Sequence, residues 1–181
     1  MRKNPSVHLE RFRRDVARWV RPQEVASLDE VTWGRTLRLL YAHPPLRAMA
    51  WFRLASAAKT MRIPAVAGIV QRRLLRLYGL ELSPGADIEG GLYIAHPAGT
   101  VVAVERVGRN LTVIAAVTVG MRNEPRWPRI GDGVFIGAGA RVLGGIDVGD
   151  GASVGANAVV VRDVRAGATV VGIPARELPA H

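Results

Sequence analysis

His96 is the residue of this sequence best suited to acid–base chemistry. It lies in LYIAHPAGT (residues 92–100), between an alternating apolar stretch and a Pro-Ala-Gly turn, in a chain of 181 residues with only four histidines. A neutral imidazole accepts a proton at cellular pH, so His96 is a candidate general base. The alternative is a structural role, in which the ring only bonds to a neighbouring carbonyl. The chain has no cysteine, which excludes a cysteine acyl-enzyme, disulfides and thiolate metal sites.

The region around His96 has a period of six residues. Leu, Ile or Val recurs at every sixth position, usually with a small or apolar residue four places later; Glu105 is an exception. Neither a helix nor an ordinary alternating strand has this period, but a solenoid with one short strand and one corner per six residues does. Three such units form a triangular coil whose branched side chains point inward. The predicted inward positions are 82, 88, 94, 101, 107, 113, 119, 130, 136, 142, 148, 154 and 160.

Two irregularities interrupt this period close to His96. One extra residue lies between positions 94 and 101, and the spacing between positions 119 and 130 is long enough for an outward loop within GMRNEPRWPR. A regular coil needs no loop, and long loops on a rigid scaffold usually carry function. We therefore expect the functional site on the part of the surface where His96 and the loop meet.

Residues 6–80 have a different pattern, which predicts helices. SVHLERFRRDVARWV has an apolar stripe on one face and arginines on the opposite face. Ser27 and Glu30 form a capping-box motif that predicts the start of a second helix, and prolines at 44 and 64 mark the starts of two more. We predict a basic helical domain at residues 1–80 and a solenoid domain with a short tail at residues 81–181. The stripe consists of Leu9, Phe12, Val16, Trp19 and Val20.

The positive charge of the chain is concentrated in the helical domain. The net charge is +10, and residues 1–80 hold 16 Lys and Arg against 5 Asp and Glu. Such a segment attracts anionic surfaces, so we expect peripheral contact with an acidic membrane surface; an arginine-rich face that is simply solvated is the alternative. A nucleic-acid partner is not expected. The sequence has neither the apolar core of a secretory signal nor an apolar stretch as long as a membrane span, which predicts a cytoplasmic protein.

Residues 79–176 resemble the serine acetyltransferase branch of the left-handed β-helix acyltransferases. The matching motifs are ELSPGADI, GLYIAHPAGTVV, VTVG, PRIGDGVFIGAGARVLGGIDVGDGASVGANAVVVRDV and GIPAR. The resemblance implies an α+β chain, with an N-terminal helical segment followed by a left-handed parallel β-helix built from hexapeptide repeats. It also implies an O-acetyltransferase that uses acetyl-CoA as its co-substrate, without a metal. Zinc carbonic anhydrases on this scaffold use several histidines, whereas the coiled region here holds only His96 before the chain end.

The resemblance also implies roles for individual residues. His96 matches the catalytic histidine, and Glu81 replaces the aspartate that pairs with it. Gly120 and Met121 match the backbone near the thioester, where their N–H groups would stabilise an oxyanion. Arg176, in GIPAR, matches the border of the nucleotide end of CoA. The corners expected along the pantetheine arm are Gly137, Ala138, Gly155 and Ala156.

The matches around the acceptor site differ from those of serine acetyltransferases. Ala95 replaces an aspartate beside the catalytic histidine, Trp127 replaces a loop histidine, and Trp33 replaces an acidic residue of the helical domain, whereas the loop arginine is retained as Arg126. Losing carboxylates that would pair with an α-ammonium group predicts that serine is a poor acceptor. We therefore expect a sugar, a polysaccharide precursor or another hydroxylated metabolite. Serine O-acetylation and a non-catalytic binding module are the alternatives.

The resemblance further implies a homotrimer. In this family the active site lies in the groove between adjacent chains, so one chain would supply His96 and its neighbour the CoA-binding corners. Cyclic closure would also cover flat faces that otherwise invite association. We expect a trimer rather than a hexamer, because the helical prefix is short.

Overall fold

The computed structural model describes residues 6–20 and 27–179; the ends of the two predicted domains, residues 1–5 and 180–181, lie outside this part. Proline starts α3 as predicted, and Gly79, with a left-handed φ of 59°, ends α4. The predicted capping box at Ser27 and Glu30 is present, but it caps a single 3-10 turn at Leu28–Glu30, and α2 begins only after a new N-cap at Thr32. The helices are α1 (Ser6–Val20), α2 (Trp33–Ala42), α3 (Pro44–Thr60) and α4 (Val66–Tyr78).

Residues 80–177 form a triangular solenoid of short strands. The first face stacks β1, β4, β7, β10 and β13; the second stacks β2, β5, β8 and β11; the third stacks β3, β6, β9, β12, β14 and β15. Neighbouring strands are parallel, except that β15 runs antiparallel to β14. The strands are β1 (Leu80–Leu82), β2 (Asp87–Ile88), β3 (Tyr93–His96), β4 (Thr100–Val102), β5 (Arg106–Val107), β6 (Thr112–Ala115), β7 (Thr118–Gly120), β8 (Arg129–Ile130), β9 (Phe135–Ile136), β10 (Arg141–Leu143), β11 (Asp147–Val148), β12 (Ser153–Val154), β13 (Val159–Val160), β14 (Thr169–Val171) and β15 (Arg176–Glu177).

The six-residue period is confirmed at twelve of its thirteen predicted inward positions, which are buried. The exception is 101, where the prediction was wrong: Val102 pairs with Leu82 and points into the core, while Val101 is only half-buried. Compared with the regular six-residue period, the corner after β3 contains two extra residues and the next segment is one residue shorter. The same shift explains why Glu105 breaks the sequence pattern, since Val104 takes the buried place.

Four of the five residues of the predicted apolar stripe pack within the helical segment, around buried Val16, whereas the face of α1 that contacts the solenoid is charged. Arg11 and Asp15 are buried, whereas Leu9 is 52% exposed. Asp15 forms an ion pair of 2.7 Å with the Nε atom of Arg53 and accepts hydrogen bonds from the N–H groups of Gly91 and Leu92. Burial raises the pKa of the Asp15 carboxyl above its ordinary value, against the lowering effect of the guanidinium.

The helical segment and the first coil share one hydrophobic core. Phe52 and Leu74 are fully buried in the same cluster as Leu80 and Leu82. Arg53 reinforces the junction, because its guanidinium donates to the carbonyls of Ile88 and Glu89. The site is therefore built on a helical base that is packed rigidly against the solenoid. Within the described part of the chain, no helix combines the length and apolar character needed to cross a bilayer.

Candidate active site

His96 lies at the edge where the third face turns into the first. It is the last residue of β3, its side chain is exposed, and its Cα pairs in register with Ala115 of β6. The hydroxyl of Thr100, a fully buried residue, donates to the His96 carbonyl at 3.4 Å. The N–H group of Gly99 donates to the carbonyl of Gly79 at 3.0 Å, so the turn after the histidine is fixed to the start of the first coil. His96 therefore projects to solvent from a fixed backbone.

The predicted CoA-binding corners lie along the same edge as His96. The turns after β9 and β12 contain Gly137 with Ala138 and Gly155 with Ala156, and the N–H group of Asn157 donates to the Ala138 carbonyl at 2.8 Å. A Cβ atom added to Gly137 would lie 2.7 Å from the backbone nitrogen of Ala156, so Gly137 has no space for a side chain between the stacked corners. The predicted cofactor residues thus leave a narrow strip free of long side chains, which fits an extended, linear ligand arm.

Glu81 lies on the first face, not at the edge that carries His96. It is the middle residue of β1 and its side chain is exposed. Among the described residues, no hydrogen bond joins Glu81 to His96. The structure therefore gives each residue an accessible side chain without forming the pair within one chain, and the catalytic role of Glu81 stays a prediction.

Glu81 lines a cleft of about 420 Å³ between the helical segment and the loop after β7. Trp127, which is 36% exposed, closes one side, and Lys59 and Gln71 of the helices close another. The ammonium group of Lys59 extends over Gly85, at the place that the Cβ atom of any other residue would take. The cleft combines a cation, carboxylates, an amide and an indole, a set that suits a small polar molecule.

A second carboxylate, that of Glu105, also lines this cleft. Its Oε2 atom forms an ion pair of 3.1 Å with Nε of Arg129. The hydrogen bond that the Arg129 guanidinium donates to Glu105 is the main reason why the pKa of this guanidinium is raised. Arg129 therefore neutralises part of the negative charge that Glu81 and Glu105 bring to the cleft.

The remaining predicted site residues are more dispersed. Ala95 is half-buried in β3; buried Gly120 ends β7, and exposed Met121 begins the loop. Arg126 forms an ion pair of 3.1 Å with Glu124 within that loop. Arg176 is exposed in β15, five strands from β3 on the third face, or about 24 Å at the usual strand spacing. A ligand that reached both His96 and Arg176 would have to extend along most of the solenoid.

Sequence reasoning missed Lys59, Gln71 and Thr100. The six-residue pattern marked an irregularity at residues 94–101, but not that a threonine would fill the extra inward place. Lys59 and Gln71 carry no local signal, because only the packing of α3 and α4 on the first coil brings them to the cleft. Among the described residues, no group of three or more His, Asp or Glu side chains could hold a metal ion.

The arrangement suits proton transfer to or from a bound molecule. His96 is accessible, its backbone is fixed, and the strip of small corners beside it leaves space for an elongated partner. The polar cleft is a separate feature, because its lining includes Glu81 of the first face and not His96. An accessible imidazole and a polar cleft are features that a reaction between two substrates can use.

The solenoid and the whole chain match known acyltransferases. A family model described as bacterial transferase hexapeptide (six repeats) matches residues 128–162. The serine acetyltransferase of Helicobacter pylori (strain J99 / ATCC 700824) is 37% identical over 144 residues, which cover 77% of this chain and 84% of that protein. The serine acetyltransferase of Mycobacterium tuberculosis (strain ATCC 25618 / H37Rv) is 38% identical over 144 residues, which cover 76% of this chain and 62% of that protein.

Solved structures agree over nearly the full length. The serine acetyltransferase of Neisseria gonorrhoeae in complex with serine has a TM-score of 0.79 and 32% identity, covering 94% of this chain and 69% of that one. A serine acetyltransferase in complex with CoA has a TM-score of 0.79 and 30% identity, covering 97% of this chain and 71% of that one. These likenesses confirm an N-terminal helical segment followed by a left-handed parallel β-helix. The chain belongs to the serine acetyltransferase branch of the hexapeptide-repeat acyltransferases.

Proposed function

We propose that this protein transfers an acetyl group from acetyl-CoA to the hydroxyl group of a small acceptor, with His96 as the general base. The observation that carries the proposal is the exposed imidazole on the same edge as the small-residue corners, in a chain of this acyltransferase family. The stacked corners fit the linear arm of CoA, because no long side chain projects at Gly137, Ala138, Gly155 or Ala156. A related structure contains CoA, which supports this choice of donor.

The chemistry follows from the residues present. Acetyl-CoA, when bound, supplies an acetyl group activated as a thioester. The His96 imidazole takes the proton of the acceptor hydroxyl as its oxygen attacks, and later returns a proton to the departing thiol. Backbone N–H groups near Gly120 and Met121 would stabilise the developing negative charge. Because the chain has no cysteine, the acetyl group would pass directly from donor to acceptor.

Serine is the acceptor that the comparisons favour. The relatives are serine acetyltransferases, which supports the serine alternative over the sugar acceptor expected from the sequence. The cleft also offers groups that suit a zwitterion. Glu81 and Glu105 are acidic partners for an ammonium group, and Lys59 is a basic partner for a carboxylate. These carboxylates would compensate in part for the absence of one at Ala95.

A neutral hydroxylated acceptor, such as a sugar, is the second candidate. Ala95 places no charge beside His96, and Trp127 presents an indole at the cleft, which suits stacking on a sugar ring. The predicted homotrimer would complete either site with groups of a neighbouring chain. A cytoplasmic location and the trimer stay predictions.

The acceptor can be identified by incubating the protein with acetyl-CoA and serine, or with a panel of sugars and nucleotide sugars. Thiol release gives the rate, and mass spectrometry of the product gives the acceptor. We expect O-acetylserine as the main product. Acetylated sugar without O-acetylserine would favour the second candidate, and no acceptor-dependent thiol release would favour a binding module.

A further inference from the structure

The outer face of α4 carries an unusual combination of residues. Its members follow the spacing i, i+3, i+4, i+7 and i+8, which places them on one side of a helix. Apolar residues at this spacing normally face a protein core, but here the face is exposed and includes three arginines. The α4 outer face consists of Ile69, Arg72, Arg73, Arg76 and Leu77, which together line a groove of about 280 Å³.

The opposite side of α4 already provides the contacts that hold the helix. Val70 and Leu74 are buried in the core shared with α3 and β1. Ile69 and Leu77 are each 55% exposed. The burial of Val70 and Leu74 therefore accounts for the position of the helix without the two largely exposed aliphatic side chains of the α4 outer face.

The arginines of this face have no acidic partner among the described residues. Arg73 lies over the ring of Trp51, with 4.7 Å between the guanidinium carbon and the ring centroid. Arg72 and Arg76 form no ion pair within the described ranges. The surrounding sequence is also basic, because residues 31–80 contain nine Lys and Arg and no Asp or Glu. The partner that complements this face must therefore be anionic.

The aliphatic residues narrow the class of partner. A second copy that docked through the same face would bring three arginines against three, which is repulsive. A nucleic-acid backbone would use the arginines but would leave Ile69 and Leu77 without a partner. An anionic bilayer suits both, because its headgroups attract arginine while short aliphatic side chains enter the boundary with the acyl chains.

We propose that the α4 outer face is a docking surface for anionic phospholipid membranes. The helix lies along the bilayer surface and does not enter its centre. This docking is independent of the acetyl-transfer proposal, because none of the residues of the face lines the His96 edge or the Trp127 cleft.

Binding of the full-length protein to vesicles tests this proposal. Co-sedimentation is measured with vesicles of phosphatidylcholine and phosphatidylglycerol, and with pure phosphatidylcholine. We expect binding to the anionic vesicles only, weakened by salt. Replacing Arg72→Gln and Arg76→Gln together should lower the partition coefficient by about 25-fold, since each arginine near an anionic surface contributes about fivefold.

The matched control is Arg106→Gln with Arg162→Gln, which removes the same charge from exposed positions on the solenoid. This control should bind like the wild type within about twofold, whereas Ile69→Ser with Leu77→Ser should weaken binding. All these positions are exposed, so the fold is kept. The proposal is overturned if the wild type does not bind to anionic vesicles, or if the two double arginine variants lose binding equally. It is also overturned if the serine variant binds as the wild type does and duplex DNA displaces the vesicles, because the surface would then bind nucleic acid.

Discussion

Single residues explain why the charged face of α1 is compatible with burial. Asp15 is fully buried, yet both of its carboxylate oxygens have partners, since Oδ2 bonds to Arg53 Nε and Oδ1 bonds to Arg53 and to two backbone N–H groups. Arg53 in turn donates to two backbone carbonyls of the first coil. The pair therefore joins two helices to the solenoid at one point.

Removal of the Asp15 side chain should be strongly destabilising. Asp15→Ala leaves a buried guanidinium and two buried N–H groups without their acceptor, and we expect a loss of about 3–5 kcal/mol in the free energy of unfolding. Urea denaturation measures it. The control is Glu10→Ala, which breaks the exposed pair with Arg14 and should cost about 0.5 kcal/mol or less. Similar effects of the two substitutions would contradict the role given to Asp15.

Sequence patterns predicted this part of the molecule least well. The arginines of α1 were placed on the face opposite the apolar stripe, which is the face that a helix usually leaves exposed. The burial of Arg11 and Asp15 depends on partners at residues 53, 87 and 89. The spacing of residues within α1 cannot predict contacts with residues so distant in the sequence. Elements set by local chemistry, such as the proline start of α3, were predicted correctly.

At the scale of elements, the corners of the solenoid decide what each edge can do. The edge that carries His96 has small residues at its corners. The edge between the second and third faces has a polar ladder, in which Asp132 accepts from the backbone N–H of Arg109 and donates its own N–H to Asp150, both at 2.7 Å. One edge is therefore suited to a ligand and the other to holding the coils together.

A bulky side chain at the small-residue edge should interfere with the donor. Ala156 is exposed, so Ala156→Trp should keep the fold but cover the strip. We expect the KM for acetyl-CoA to rise by about tenfold or more, which is about 1.4 kcal/mol of binding energy, with the KM for the acceptor nearly unchanged. Ala166→Trp, at an exposed corner of another edge, is the matched control. An equal rise of KM in the control, or no rise in either variant, would argue against the strip as the donor site.

The polar ladder should make stability depend on pH in a defined direction. Hydrogen bonds from the backbone and guanidinium of Arg109 lower the pKa of Asp132 below its ordinary value. The carboxylate therefore contributes stability above its unfolded pKa, near pH 4, and this contribution is lost as pH falls through the lower folded pKa. The difference in urea midpoint between the wild type and Asp132→Asn should be larger at pH 7 than at pH 3. A difference that grows on acidification would show that the sign is wrong.

The solenoid was predictable at the scale of elements, apart from one register error. The period of six fixes which side chains point inward, because every coil repeats the same short strand and corner. The shift of the inward position from Val101 to Val102 was not predicted, because two extra residues and a segment one residue shorter lie close together and partly cancel in the sequence. Parts of the site were also predictable, because the six-residue period is interrupted at residues 94–102 and 121–128. Such interruptions indicate segments with a role other than building the regular coil. The cleft between the helices and the loop needs the tertiary structure.

At the scale of the whole molecule, the solenoid and the helical segment contribute different features. The solenoid presents the exposed imidazole of His96 and a narrow strip of small residues, and the helical segment closes a polar cleft with the loop after β7. The helices also carry the basic outer face of α4, away from those sites. The protein is thus an acyltransferase whose helical half bears an anion-attracting surface.

The central claim is that His96 accepts the proton of the acceptor, and the most direct test is thiol release from acetyl-CoA with serine by the wild type and His96→Ala. Positioned general bases contribute about 10²–10⁴-fold, so kcat should fall by this factor while the protein stays folded. His43→Ala, which removes an imidazole from the helical segment, should retain nearly full activity. Acceptor-dependent thiol release by His96→Ala within a few-fold of the wild-type rate would contradict the account.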